Sequence, residues 1–503
     1  MDTNQTTIDL YSNYQQQLRK ISDLRYASAV LQWDQETYMP PKGAAFRGQQ
    51  LATLSELSHQ FFTAAETGDM LNTLLQDTSL TASQRKNVEL SLYDYSKAQK
   101  LSPAFVRKLT ETINKSFHSW IEARKLNSFK RFEDDLTKLV EIKREEAQLL
   151  GYSGHPYNAL LNDYERGATV EMLDRVFNSI RNPLKDLLQK IRSKSGIDNS
   201  FLRQHYPRQH QWEYGMSLLK QLGYDFEAGR QDISEHPFTT SFSSQDVRVT
   251  TRIDEDDFSN MTWSTIHELG HALYEQGLPA SEYGLPLGEA CSLSIHESQS
   301  RLWENQVGRS LVFWKHNYPA LQQLFPKQLG NVPVENFYAG INQVRSSLIR
   351  TEADEVTYHF HVMIRYELEK KVIEGSLSVA DIPEYWNQQY ENYLGIWPPD
   401  ELRGCLQDVH WSHGSFGYFP TYSLGSFYAA QFFDQAMKDI PALGTEMADG
   451  QYHSLLNWLR EKIHIHGRYH TSEELCAKIC GEPLNIKYFM QYLLDKYRNI
   501  YQF

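Results

Sequence analysis

The sequence is poor in cysteine. Four in 503 residues is too few for a disulfide framework and fits a reducing compartment. Positive charge is in deficit, with 50 Lys and Arg against 63 Asp and Glu and a net charge of −13. That balance argues against nucleic acid or an anionic membrane as partner. No apolar stretch approaches the length of a membrane span. The start, Met1–Leu10, lacks the basic region and apolar run of a secretory leader, so a cytoplasmic location is expected. Linkers rich in Pro, Gly or Ser are missing too, as are internal repeats and low-complexity segments. The length alone would allow three domains. Without a linker, a single domain spanning residues 1–503 is expected, at most in two lobes flanking a groove.

What is present is apolar and aromatic: 41% hydrophobic residues, with 30 Tyr and 24 Phe. That is ample for a core and enough to line a cleft. The pattern is helical over most of the chain. Residues 8–150 read as long helices: Leu10 to Leu24, a break over Trp33–Gly43, a helix from Arg47 to Leu57, then Ala82–Gln99, Pro103–Leu126 and Phe129–Leu150. Residues 170–230 are helical again, as is nearly everything after 300, with breaks at 332–334, Trp397-Pro398-Pro399 and Phe419-Pro420. The exception is His236–Ile253. This stretch is rich in Thr, Val and Phe with period-two alternation and predicts a hairpin turning near Ser243-Ser244-Gln245. The fold class expected is therefore mainly α, a large helical body with one small β-hairpin.

The stretch that organises the chemistry is Thr262–Gly277. Ser259, Asn260 or Thr262 is placed to cap this helix, and Gly277 followed by Pro279 to end it. His267 and His271 are four residues apart, so both imidazoles face one metal ion. Glu268 is turned about 100° away, where it reaches a metal-bound water without displacing it. Two nitrogen ligands, an open position and a base are what a zinc hydrolase requires. Gly270, between the histidines, weakens the helix but permits close packing. A second helix from Ser294 through Asn305 offers Glu297 as a third ligand, with Glu289 as competitor. Cys476 and Cys480 read as packed thiols, and His464 and His466 as surface or packing residues.

The chain resembles the carboxypeptidase Taq family of zinc metallocarboxypeptidases. Six motifs in order carry the resemblance: His236-Pro237-Phe238, Asp246-Val247-Arg248-Val249-Thr250, His267-Glu268-Leu269-Gly270-His271, His296-Glu297-Ser298-Gln299, Ile349-Arg350-Thr351-Glu352-Ala353-Asp354, and Gly404-Cys405-Leu406-Gln407-Asp408-Val409-His410-Trp411. Trp33-Asp34 through Met39-Pro40 and Gly481-Glu482-Pro483-Leu484 match as well, so the likeness runs from about residue 8 to the C-terminus. It implies a deep groove resembling those of neurolysin and angiotensin-converting enzyme. It also implies a cytoplasmic homodimer that releases C-terminal residues with broad specificity but rejects C-terminal proline. His267, His271 and Glu297 then become the ligands of one divalent ion per chain, zinc with cobalt or manganese as alternatives. Glu268 becomes the base, and Glu297 prevails over Glu289.

A carboxypeptidase must also bind a free carboxylate, for which an arginine fork is suited. Arg350, read as lying on a helix with Asp354 as its alternative partner, is the first candidate. Arg248, with Asp246 or a cross-strand group as alternative partner, is the second, and the His236 motif joins them as substrate-binding. By resemblance, the hairpin and the Arg350 helix close the end of the groove that holds the released residue. For the oxyanion, Tyr422 is preferred over Tyr418, with His410 on the substrate backbone, while Asp408 is a candidate to orient a metal-bound histidine. Two rivals remain open. One is an oligoendopeptidase on the same scaffold, with no carboxylate-binding arginine. The other is a non-enzymatic helical peptide binder with a structural metal, disfavoured because structural sites are normally closed by a fourth protein ligand.

Overall fold

The structure, a computed structural model, describes residues 3–503; Met1 and Asp2 of the stretch considered for a leader lie outside the described residues. Six long helices open the chain: α1 Thr3–Thr37, α2 Ala44–Thr63, α3 Ala65–Leu75, α4 Ala82–Gln99, α5 Pro103–Leu126 and α6 Lys130–Leu150. The short α7 Tyr157–Leu161, α8 Val170–Arg192 and α9 Arg208–Gln221 lead to three strands, β1 Gln231–Ile233, β2 Thr239–Ser243 and β3 Asp246–Thr251. Next come α10 Phe258–Gly277 and α11 Leu293–Arg301, the latter running into a π-helical segment, Leu302–Gly308. The remainder is α12 Leu311–Leu324, α13 Pro326–Leu329, α14 Val334–Ile341, α15 Tyr358–Glu374, α16 Ile382–Leu394, α17 Pro420–Asp439, α18 Leu443–Ala448, α19 His453–Lys462, α20 Ser472–Cys480 and α21 Lys487–Tyr501. Among the described residues no helix is long and apolar enough to cross a membrane.

The mainly α expectation holds, and the helix boundaries from Ala82 to Leu126 fall as read. Thr81 shows why: its hydroxyl accepts from Gln84 N while the Gln84 side chain accepts from Thr81 N, a reciprocal cap. The break expected over Trp33–Gly43 is shorter. Pro40 restricts only its immediate predecessor, so α1 continues to Thr37 and only Tyr38–Pro40 interrupts before a turn at Pro41–Gly43. The extra turn lays Trp33 on the Arg248 guanidinium at 4.4 Å. The hairpin is present, but β1 joins it in parallel on the far side of β3, giving the order β1-β3-β2. A three-residue strand carries too little alternation to be read from sequence.

Most buried apolar side chains form one continuous core; a smaller cluster, including Tyr14, Leu18, Leu71 and Val88, packs α1, α3 and α4 together. α10 runs through the large core. Phe258, Ile266, Leu269, Ala272, Leu273 and Tyr274 are all fully buried. Asp257, not Ser259, Asn260 or Thr262, caps α10, accepting from Ser259 N at 2.9 Å. The inner sheet face, with Val247 and Val249, packs on α10, and the outer face, with Arg248 and Phe242, is turned to α1.

α11 crosses α10 at Gly270. A Cβ at that position would stand 2.5 Å from Ser300 Cα and 2.6 Å from the Gln299 carbonyl oxygen. On the other side, a Cβ at Gly425 of α17 would stand 2.5 Å from Glu297 Cγ. The obstacles are backbone atoms or the buried root of the Glu297 side chain, so the helices would have to separate. Gly270→Ala gains about 1 kcal/mol of helix propensity, yet overpacking of this kind costs about 1–3 kcal/mol or more. The variant should unfold at lower denaturant concentration than the wild type; an unchanged or raised midpoint would contradict the close approach.

Candidate metal and peptide site

α10 presents His267 and His271 one turn apart, and the crossing at Gly270 brings Glu297 of α11 against both. His267 Nε2 lies 3.8 Å and His271 Nε2 3.5 Å from Glu297 Oε2. One ligand atom from each of the three falls within 4.8 Å of the other two, so these residues could hold one ion. Glu289, the competitor, faces Arg468 at 3.2 Å and lies outside the cluster.

The remaining nitrogens show how the rings are oriented. His267 Nδ1 meets Glu304 Oε2 at 2.9 Å. His271 Nδ1 meets His296 Nδ1 at 2.6 Å, and His296 Nε2 meets Glu275 Oε1 at 2.8 Å. If both Nε2 atoms are kept as lone pairs, the protons are fixed. His267 donates from Nδ1 to Glu304, His271 from Nδ1 to His296, and His296 from Nε2 to Glu275. The donor set therefore fits a borderline divalent cation, with two neutral imidazoles and one carboxylate oriented from behind. Sequence reading assigned no role to Glu304 and gave the orienting role to Asp408. The π segment brings Glu304 to the site, closed by Arg309 N donating to the Glu304 carbonyl, a five-residue step, at 2.9 Å. Asp408 does otherwise, pairing with Arg350 Nε at 3.0 Å and Arg365 Nε at 2.7 Å.

Arginines balance the buried acids. Burial alone would raise Glu297, but Arg301 and the two histidines hold its pKa well below the ordinary range. Arg301 Nε takes Oε1 at 2.7 Å, leaving Oε2 for the cluster. Burial would likewise raise Glu304; Arg301, His267 and Arg309 hold it down. His271 is pushed down by burial and by His296, so it stays neutral. Burial disfavours a charged His267, yet Glu297 and Glu304 overcome it and raise its pKa.

A cleft of about 810 Å³ opens over His267 and Glu268 and is lined also by His236, Trp263, Arg350, Tyr358 and Tyr422. Thr239 Oγ1 donates to Glu268 Oε2 at 2.7 Å. Arg350 is not on a helix and does not pair with Asp354. It sits in a short 3-10 turn, Arg350–Glu352, 7% exposed. Its Nη1 donates to the Tyr358 hydroxyl at 3.2 Å and its backbone N to Gln407 at 2.9 Å. Arg365, fully buried on α15, grips both Asp408 and Gln407, so the loop before α17 holds Arg350 from behind. Arg248 has the Asp246 partner, in two 2.9 Å contacts, and lies on the outer sheet face. The hairpin does not close the cleft as a unit. His236 and Pro237 line it, while β2 runs on past Glu268.

Tyr422 meets His410 Nε2 at 3.2 Å. Burial raises its pKa well above the usual tyrosine value, so it keeps its proton. Burial and then Arg350 lower His410 to about 3, so it is neutral. Tyr418, lifted to about 12 chiefly by burial, packs edge-on against Tyr164 and tilted against Tyr422 and does not line the cleft. Tyr358, which sequence reading missed, does; Arg301 lies over its ring at 4.6 Å. His464 is a packing residue, fully buried with Nε2 3.0 Å from Gln299.

A family model described as carboxypeptidase Taq (M32) metallopeptidase matches residues 13–497. The chain is 39% identical to thermostable carboxypeptidase 1 of Thermus thermophilus, over 98% of this chain and 99% of that protein. Among solved structures, that of CHT is 58% identical with a TM-score of 0.96, covering 97% of this chain and 99% of the other. The M32 carboxypeptidase from Deinococcus radiodurans R1 is 36% identical, also with a TM-score of 0.96, covering 98% of this chain and 100% of the other.

Glu304 tests the orienting role directly. Glu304→Gln leaves the three ligands in place but removes the charged acceptor behind His267. Affinity for a divalent ion should fall about 10- to 100-fold, measured by competition against a chelator of known strength. Unchanged affinity would show that Glu304 only neutralises Arg301 and Arg309.

Proposed function

We propose that this chain, which belongs to the carboxypeptidase Taq (M32) metallopeptidase family, is a zinc-dependent carboxypeptidase. It releases C-terminal residues with broad side-chain tolerance and excludes C-terminal proline. The observation that carries the reading is one juxtaposition: the His267–His271–Glu297 cluster stands beside Glu268 in a cleft that also holds Arg350. Four unpaired cysteines, three of them buried, suit a reducing cytoplasm, where the protein acts as a homodimer.

An ion held by His267 Nε2, His271 Nε2 and Glu297 Oε2 would supply Lewis acidity to the attacking water and the scissile carbonyl. Glu268 is the base. Thr239 anchors its Oε2, so Oε1 is left to take the water's proton and return it to the leaving amine. Tyr422 donates to the developing oxyanion. A neutral His410 donating from Nε2 to the tyrosine oxygen keeps that O–H free. Arg350 takes the terminal carboxylate through Nη2, the nitrogen that Asp408 and Tyr358 leave without a partner.

Two measurements test this. Glu268→Gln should retain ion and substrate binding but lose about three or more orders of magnitude in kcat, because proton transfer is removed while binding stays. A variant within tenfold of wild type would refute the assignment. For direction of cleavage, amidating the substrate's C-terminus and Arg350→Ala should each cut kcat/KM about 30-fold or more. Breaking one partner of a desolvated ion pair costs about 2–5 kcal/mol. The combined loss should be far below the product, since both changes remove one interaction. Multiplicative losses would detach Arg350 from the carboxylate, and equal cleavage of amidated and free peptides at internal bonds would make the protein an oligoendopeptidase.

A further inference from the structure

A second cavity, of about 310 Å³, lies at the other end of α10 from the cleft, walled by Tyr26, Ser241, Ser244, Gln245, Glu275 and Tyr283 among others. His267, His271 and Glu275 are spaced by four residues on α10 and share one face. That row leads from the cleft, past the metal cluster, to this cavity.

β2 spans the same interval. Thr239 bonds Glu268, and Ser241 reaches Glu275, two turns further along α10. β2 is also an edge strand. Thr250 N donates to the Phe238 carbonyl, and Val249 N donates to Arg230 beside β1. In the antiparallel register Thr239↔Val249 and Ser241↔Val247, this alternation makes Thr239 and Ser241 turn their own N–H and C=O away from β3. The outward groups are a ready template for an extended peptide.

We propose that the peptide segment N-terminal to the scissile bond adds antiparallel to β2, and that the second cavity is its end subsite, selecting a basic side chain. This deepens the carboxypeptidase reading and rests on it: with the C-terminal carboxylate at Arg350, the rest of the peptide leaves along β2 in the opposite chain direction. Glu268 and Glu275 are seven residues apart, roughly 10 Å of helix. At about 3.4 Å per extended residue, the third residue before the scissile bond reaches the cavity. Charge fixes its preference. The lining holds Glu275 and no lysine or arginine. Tyr26 in the same wall is pushed up to about 12, first by burial and then by Glu289 and Glu275, against Arg25. Gln245, exposed on the β2–β3 turn, sits at the rim.

The experiment uses the metal-loaded enzyme and N-acetylated peptides with a free C-terminus, identical except for Lys, Gln or Glu three residues before the bond cleaved. The kcat/KM values should fall in the order Lys, Gln, Glu, with about tenfold or more between the extremes. Moving the Lys/Glu pair to the sixth residue should abolish the difference. Q245R should shrink the ratio at the third residue, and Q245E should widen it. A wild-type ratio below about twofold, the same ratio at the sixth residue, or a ratio indifferent to Q245R would overturn the subsite and leave the carboxypeptidase reading intact. No shortening of any peptide, or cleavage only at internal bonds, would overturn that reading and the subsite with it.

Discussion

The site depends on two helix backbones meeting with nothing between them. At Gly270, α10 and α11 approach so closely that a single methyl group would collide with Ser300 and Gln299. Glu297 is thereby held against two histidines from another element, and Gly425 of α17 presses on Glu297 from the opposite side. A carboxylate on a long side chain is given one position by three helices, where it could serve as a ligand. The spacing of His267 and His271 is local to a helix; the place of Glu297 beside them is a product of packing.

Burying so many charges in one place requires compensation, and arginines supply it in a repeated form. Arg301 links Glu297 to Glu304, Arg309 closes on Glu304, and Arg350 and Arg365 share Asp408. Each buried acid is held ionised by cations close enough to outweigh desolvation. The planar guanidinium suits this task because it bonds two acceptors at once. Arg301 and Arg350 each use only Nε and Nη1 on these partners, and both line the cleft.

The proposed substrate path rests on the same framework. α10 carries His267, Glu268, His271 and Glu275 along its length, and β2 lies alongside as an edge strand. A peptide laid there has its backbone matched by the strand and its chain direction set by Arg350 at one end. The distance from Glu268 to each cavity then becomes a ruler for which residue each cavity meets.

Much was legible in the residues themselves. Helical periodicity gave the long helices, while the cap of α10 fell on Asp257 and not on the residues named for it. The four-residue histidine spacing with Glu268 between gave the chemistry, because α-helical geometry is a local property. Glu297 could be named as a third ligand, but choosing it over Glu289 needed the family resemblance, and its geometry needed the crossing at Gly270. Where contacts are distant in sequence, the reading failed. Arg350 was read as lying on a helix with Asp354 as its alternative partner; it sits instead in a 3-10 turn and pairs with Asp408, 58 residues away. Asp408 was the candidate to orient a histidine, but Glu304 is the acid that stands behind His267, since nothing local marks a π-helical turn or says which acid faces which ring. β1 was missed because three residues carry no period. The sequence by itself determined the helices, the chemical class of the centre and the residues able to serve it, all set by nearest neighbours along the chain. Only the tertiary structure decided which carboxylate stands behind which histidine, which arginines line the cleft and where the strand edge lies open, because those depend on how separately formed elements pack.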